Sequence, residues 1–573
     1  MPRLTLLLSL PVCLGLGIAV PARPQVPTKG PAPAPTPNVA WPMYGGTPSR
    51  NMVNLHDRDV FRTFDPAKGL GLLWKAQLGS RSYAQPVVAG GRVFVGTNNN
   101  QPRNPRDARK NAKTGEVEPI DKGVLMCFAA GDGKFLWQAV HDKLPSGPVN
   151  DWPYEGVCSI PTVVGDRVYY VSNQCRVVCL DAGGFADGNQ GLQTEQYRGA
   201  TDADVLWEFD MMKELNVFPH NMATGCPLVV GDLLFVPTSN GVDENHINIP
   251  SPDAPSFICL NRNTGRLVWK DNSPGKDIMH GQWASPSYAA EPVPQVIFPG
   301  GDGWLRAFDP PTGKLLWKFD CNPKDAVYEL GGTGTRSDFI AAPVVYDGRV
   351  YIGVGQDPEH TTGIAYFWCI DLKKADERAA TRADRDVSPE LLLKSAKKPD
   401  GTLEVETAPN PASALAWSFG GEEKRRWAIR DFKFGRTLST ACVVDGIVYA
   451  AELHGFLHCL DAKTGKHFWQ YDTKAATWGS PYYADGKVFL ANETGELYVF
   501  RHDPKPEVID ELDIAAADRK EARVEIRARR KQVEDKHLMF KVELDAPVRG
   551  TPTVAGGRYY LATENTLYAF GSR

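Results

Sequence analysis

Short apolar stretches alternate with Gly- and Asp-containing turns from Ala84 to the end of the chain, and the alternation repeats. Each unit opens on a Pro before two or three apolar residues, turns, and returns through a strand of aromatic and β-branched residues. The opening strands read AQPVV, SIPTV, CPLVV, SPSY, AAPVV, TACVV, SPYY and GTPTV. Their markers are Pro86, Pro161, Pro227, Pro286, Pro343, Cys442, Pro481 and Pro552. Turns such as Gly90-Gly91, Gly165-Asp166 and Asp485-Gly486 tolerate positive φ and are hairpin chemistry. A third strand follows (LMCFA, VVCLD, FICLN, LRAFD, FWCID, LHCLD, LYVFR, LYAFG), then a fourth carrying Trp137, Trp207, Trp269, Trp317, Trp417, Trp469 or Phe540.

Units this short and this regular predict four-stranded antiparallel sheets. Eight of them predict an all-β, eight-bladed β-propeller over residues 41–573. The last unit ends at Arg573 without a fourth strand, and LLWKAQL around Trp74 supplies one from the front. Pairing this N-terminal strand with the C-terminal blade closes the ring and covers the exposed edge. Two charge-rich stretches interrupt the repeat, 373–412 in the fifth blade and 502–536 in the seventh. Alternating charge in the second predicts an exposed helix or a mobile excursion with a solvated face.

The units DPPTGKLLW and DAKTGKHFW carry an Asp-x-x-Thr-Gly turn before the fourth-strand Trp. They resemble the repeats of pyrroloquinoline-quinone (PQQ)-dependent dehydrogenases, and equally those of the BamB-like propellers of outer-membrane protein assembly. WPMYGGTPSRN, from Trp41 to Asn51, is similar to the segment preceding such propellers. The resemblance spans residues 41–573 and implies the fold; a shared fold does not fix an activity.

Arg3 precedes an apolar run from Leu4 to Val20, and Val20-Pro21-Ala22 offers a cleavage site. Residues 1–22 therefore predict a signal peptide and export to the periplasm or cell envelope, with 23–40 a Pro/Ala-rich linker. Leu10-Pro11-Val12-Cys13 faintly resembles a lipidation motif, but Val12 argues against lipidation at Cys13. A net charge of −4 gives no footprint for nucleic acid. A monomer is expected.

Export would make the cysteines a disulfide framework, but the repeat argues otherwise. Cys127, Cys179, Cys259, Cys369 and Cys459 share one third-strand position, where other units use Ala307, Val499 and Ala569. That is a site for a small buried apolar residue, so these five are expected to be inert thiols. Pairing of Cys158, Cys175, Cys226, Cys321 and Cys442 stays open.

In an up-and-down blade, the loops leading into strand one and joining strands two and three share a face. That face collects the long, varied loops, richest in the third to fifth blades. The candidate binding residues there are His220, Asn221, His280, Gln282, Trp283, Arg336, Asp338, Gln356, Asp357, Glu359 and His360. Gln282, Trp283, Arg336 and Asp338 are expected nearest the axis. Arg336 and the histidines would donate hydrogen bonds to a polar or anionic ligand or a peptide, and Trp283 would stack. The structural alternative pairs Arg336 with Asp338 across the channel. No metal is assigned, and His454 and His458 are expected to face solvent or to pack.

The sequence therefore favours a non-catalytic binding or scaffold propeller of the cell envelope with a protein or peptide partner, BamB-like in one form. No catalytic residue and no cofactor is assigned to it. The alternative is a dehydrogenase of alcohols or sugars using pyrroloquinoline quinone and calcium. It would draw carboxylates from Asp338 and Asp357, an amide oxygen from Asn221 and a stacking plane from Trp283. Adjacent cysteines and a Cys-x-x-Cys-His haem motif are missing.

Overall fold

A computed structural model describes residues 40–571, apart from 61–63, 332–333, 358–362, 425–429 and 510–513. Eight antiparallel blades follow one another: residues 87–142, 162–210, 228–271, 287–320, 344–420, 442–472, 482–543 and 553–570. The last takes Leu72–Gln77 as its fourth strand, with Trp74 opposite Ala569. This is the eight-bladed propeller closed at Trp74 that the repeat count implied.

The repeated residues meet at the joints between blades. Within each blade the small third-strand residue lies opposite the fourth-strand aromatic, as in Cys127–Trp137, Cys259–Trp269, Ala307–Trp317 and Val499–Phe540. All ten described cysteines are buried free thiols, those left open by the sequence included. Burial pushes the Cys127, Cys158 and Cys442 thiols well above their usual range.

Each Trp then reaches the next blade. The indoles of Trp74, Trp137, Trp207, Trp269 and Trp417 donate to the carbonyls of Ala130, Ala182, Arg262, Pro310 and Ala462, at 2.7–3.1 Å. All five acceptors lie in the turn after the neighbour's third strand. The turn glycine covers the ring: Gly465, at φ +72°, would place a Cβ 2.5 Å from Trp417. The Thr-Gly signature is thus an interblade contact as well as a turn.

Three joints depart from this rule: blade 7 presents Phe540, which has no N–H to donate, and the other two depart at insertions. In blade 5 the turn is replaced by helix α1 (Leu372–Ala379), and Trp317 donates instead to Gln295 Oε1 in its own blade. In blade 7 the insertion carries helix α2 (Arg519–His537), and Trp469 stacks on His537 at 4.7 Å. No helix among the described residues is long and apolar enough to cross a membrane.

Residues 41–54 run across the axis and bind every blade. Trp41 pairs with Val88, and Pro42, Pro48, Ser49 and Met52 accept from the amides of Val163, Tyr288, Val345 and Tyr483. Asn51 bonds Val443 in both directions, and Asn54 donates to Val554 O. Arg50, fully buried, donates to Cys226 O and Pro227 O in blade 3 and Pro286 O in blade 4. Burial lowers its pKa to about 10, so it stays charged at neutral pH. The segment satisfies the inner edge of the ring, which would otherwise bury unpaired backbone groups.

Register also corrects one marker. Cys442 pairs with Tyr449 as Val344 pairs with Tyr351 and Tyr482 with Phe489. The sixth blade's equivalent of Pro is therefore Ala441.

Candidate functional site: an axial funnel and a histidine corner

With that register, the residue three places before each marker lines one axial cavity. Tyr83, Cys158, Thr224, Trp283, Ile340, Leu438, Trp478 and Arg549 form its ring, and Tyr44 of the N-terminal segment reaches it as well. The cavity holds about 350 Å³. Its apolar and aromatic walls carry few charges: Arg549 pairs with Glu564 at 3.3 Å, and Glu155 faces Arg81 at 3.5 Å. Closer to the strands, one blade's amide donates to the next blade's side chain one place before the marker. Ile160 N meets Cys226 Sγ, Cys226 N meets Ser285 Oγ, Thr440 N meets Ser480 Oγ, and Ser480 N meets Thr551 Oγ1. An extended chain has period two, so the first and third positions face the same way.

This pattern divides the sequence candidates. Trp283, Asn221 and His280 line the funnel; Gln282 and Arg336 do not. Gln282 turns away and accepts from Gly301 N at 3.1 Å. Arg336 does not pair with Asp338. It binds Asp320 Oδ1 at 2.6 Å and Asp302 O at 2.8 Å, within blade 4's own ion-pair network. Asp338 bridges to Gly355, and with Gln356 and Asp357 lines a separate cleft of about 10 Å³. Burial, with the charge of Asp357, holds the Asp338 carboxyl well above the usual carboxylate range. Glu359 and His360 lie outside the described residues.

Beside the funnel, His220, His280 and His246 converge; His246 was not among the residues singled out from sequence. One ligand-type atom from each lies within 4.8 Å of the others. The rings sit at centroid distances of 4.3–5.1 Å, and Trp283 stacks on His220 at 6.1 Å. Backbone crossing brings them together: Val242 N donates to His280 O and Gly241 pairs with Gly281. A Cβ on Gly241 would meet His280 O at 2.4 Å and His220 Cβ at 2.6 Å, so only glycine permits the crossing.

A second buried cluster joins the loops of blade 6. Glu452 accepts from both terminal nitrogens of Arg430 (2.5 and 2.7 Å) and from His458 Nε2 (2.6 Å). Burial would raise this carboxyl, but His458 and Arg430 hold its pKa at about 2. His458 is therefore a buried hydrogen-bond partner of Glu452 rather than a solvent-facing residue.

An eight-bladed ring of four-stranded units with Trp–turn joints defines the class. Parts of the chain are similar in sequence to PQQ-repeat β-propellers. Residues 404–504 match the family described as outer membrane protein assembly factor BamB. The polyvinylalcohol dehydrogenase of Sphingopyxis sp. is 33% identical over 18% of this chain and 16% of its own. Quinoprotein alcohol dehydrogenase PedE of Pseudomonas putida is 29% identical over 22% and 19%. The matched segments thus span under a fifth of either relative's length. Among solved structures, BamB from Moraxella catarrhalis aligns over 88% of this chain and 97% of its own, with 12% identity and a TM-score of 0.46.

The oxygen donors named from the sequence for a calcium ion line two different cavities. Calcium takes about six to eight oxygen ligands around one point. Here Asn221 opens on the funnel, whereas Asp338 and Asp357 line the separate narrow cleft.

Proposed function

We propose that this protein is an exported, non-catalytic binding propeller of the cell envelope, taking a peptide with aromatic and apolar side chains into its axial funnel. The ring contributed by all eight blades carries this reading. Pockets walled by apolar and aromatic groups, with a few placed polar ones, suit such ligands. Long loops on a rigid scaffold are where recognition residues usually sit. The N-terminal segment occupies the axis below, which leaves approach from the loop-rich face. The match of residues 404–504 to the assembly-factor family supports a role as a scaffold in outer-membrane protein assembly.

Titration of the purified chain with decapeptides alternating aromatic and polar residues, followed by tryptophan fluorescence, tests it. Saturable binding is expected, weakened at least about tenfold by Trp283→Ala with Trp478→Ala. Unchanged affinity in the double variant removes the funnel from the function. Reconstitution with pyrroloquinoline quinone and Ca²⁺ tests the other side: alcohol-dependent dye reduction would overturn the non-catalytic reading.

A further inference from the structure

We propose that His220, His246 and His280 bind one divalent transition-metal ion of the zinc, cobalt or copper class. The site does not depend on the funnel taking a peptide.

Tautomer and geometry carry the argument. His220 Nδ1 lies 2.9 Å from Val242 O. A carbonyl only accepts, so the proton sits on Nδ1 and the lone pair on Nε2. That Nε2 is the atom 2.9 Å from His246 Nε2. A backbone carbonyl fixing one ring nitrogen while the other faces inward is the usual support of a metal-binding imidazole. A tetrahedral ion with bonds of about 2.0–2.1 Å holds its ligand atoms about 3.3 Å apart. With all three atoms inside 4.8 Å, the widest pair needs to close by about 1.5 Å at most.

The surroundings fit a cation. Asp357 Oδ1 lies 3.8 Å from His280 Nε2, near enough for its carboxylate to offset part of the ion's charge. The backbone crossing at Gly241 and Gly281 ties two of the three loops together, so the ligands are largely preset. An all-imidazole set selects zinc, copper, cobalt or nickel over calcium or magnesium. Three protein ligands leave a position for water or an incoming donor, and His280 already lines the funnel.

The full chain is stripped with chelator and titrated with Co²⁺ by visible absorption, then with Zn²⁺ against a colorimetric chelator. One saturating equivalent is expected. His246→Ala should weaken binding at least about 100-fold, while replacing the exposed His56 should leave it unchanged. His246 is only partly buried, so the variant is expected to keep its melting temperature. His246→Gln and the nitrogen hyperfine pattern of the Cu²⁺-loaded parent decide the case if it does not. No saturating equivalent, affinity untouched by the His246 variants, or a Cu²⁺ spectrum without several nitrogen ligands would overturn the site.

Discussion

The joints between blades and the loops over blades 3 to 6 are built by different rules. At a joint, one indole, one turn carbonyl and one glycine recur five times with almost the same geometry. In the loops the contacts made by charged and imidazole side chains are not repeated. Arg430–Glu452–His458, Arg336–Asp320 and the three histidines each occur once, and each buries charge or imidazole. Repetition supplies the ring from neutral contacts; the individual loops spend polar groups on one place each. Recognition chemistry belongs to the second kind, because a symmetric ring cannot single out one orientation of a ligand.

The comparison breaks most sharply if the glycine–indole contact is not what holds a joint. Gly465→Val drives a branched side chain into Trp417 at a positive φ, and is expected to cost about 3–5 kcal/mol. Gly348, at φ +69°, has nothing within 4 Å of an added Cβ. Gly348→Val carries the same backbone strain without the collision, and should cost about 1–2 kcal/mol. Urea unfolding of both variants separates the two terms. Equal losses would reduce the joint to turn strain.

Acid should loosen the loop side first. Glu452 has its pKa lowered to about 2, so its stabilisation is present above the usual carboxylate pKa and is lost as pH falls from about 4.5 through 2. About 3 kcal/mol is at stake for this buried group. Glu452→Gln should be less stable than the parent at pH 7, yet lose less on going to pH 2. Parallel pH dependences in the two proteins would show that Glu452 is not the acid-sensitive group.

The same division explains what could be read from sequence. Blade number, the closing strand at Trp74 and the buried-thiol role of Cys127 and its equivalents follow from period-two strands and a repeat that aligns with itself. Of the funnel ring only Trp283 was named as a binding residue from sequence, although all eight members lie at one fixed offset from their markers. Shifting the sixth marker to Ala441 places Leu438 in it. Arg336, Asp338 and His246 were not legible. Their positions depend on how separate loops cross, as at Gly241 and Gly281, and no local periodicity encodes such a crossing. Arg336 was assigned to the axis by nearness to a strand, but its charge found the buried Asp320 instead.

The smallest expected effect is the finest test of the joints. Trp137 donates its indole N–H to Ala182 O at 3.1 Å, whereas the buried Trp469 Nε1 has no hydrogen-bond partner among the described residues and the ring stacks on His537. Replacing either by Phe removes similar apolar area. Only Trp137→Phe also gives up a hydrogen bond and leaves a buried carbonyl without its donor. It should therefore cost about 1–2 kcal/mol more than Trp469→Phe. Urea midpoints at a common m-value measure the difference. If the two variants lose the same stability, the turn carbonyl adds nothing to the joint, and the recurring Trp is there for its area alone. If the difference appears, the insertion in blade 7 has exchanged a directional contact for a stacked one at little cost, which is how a single blade can carry extra sequence without opening the ring.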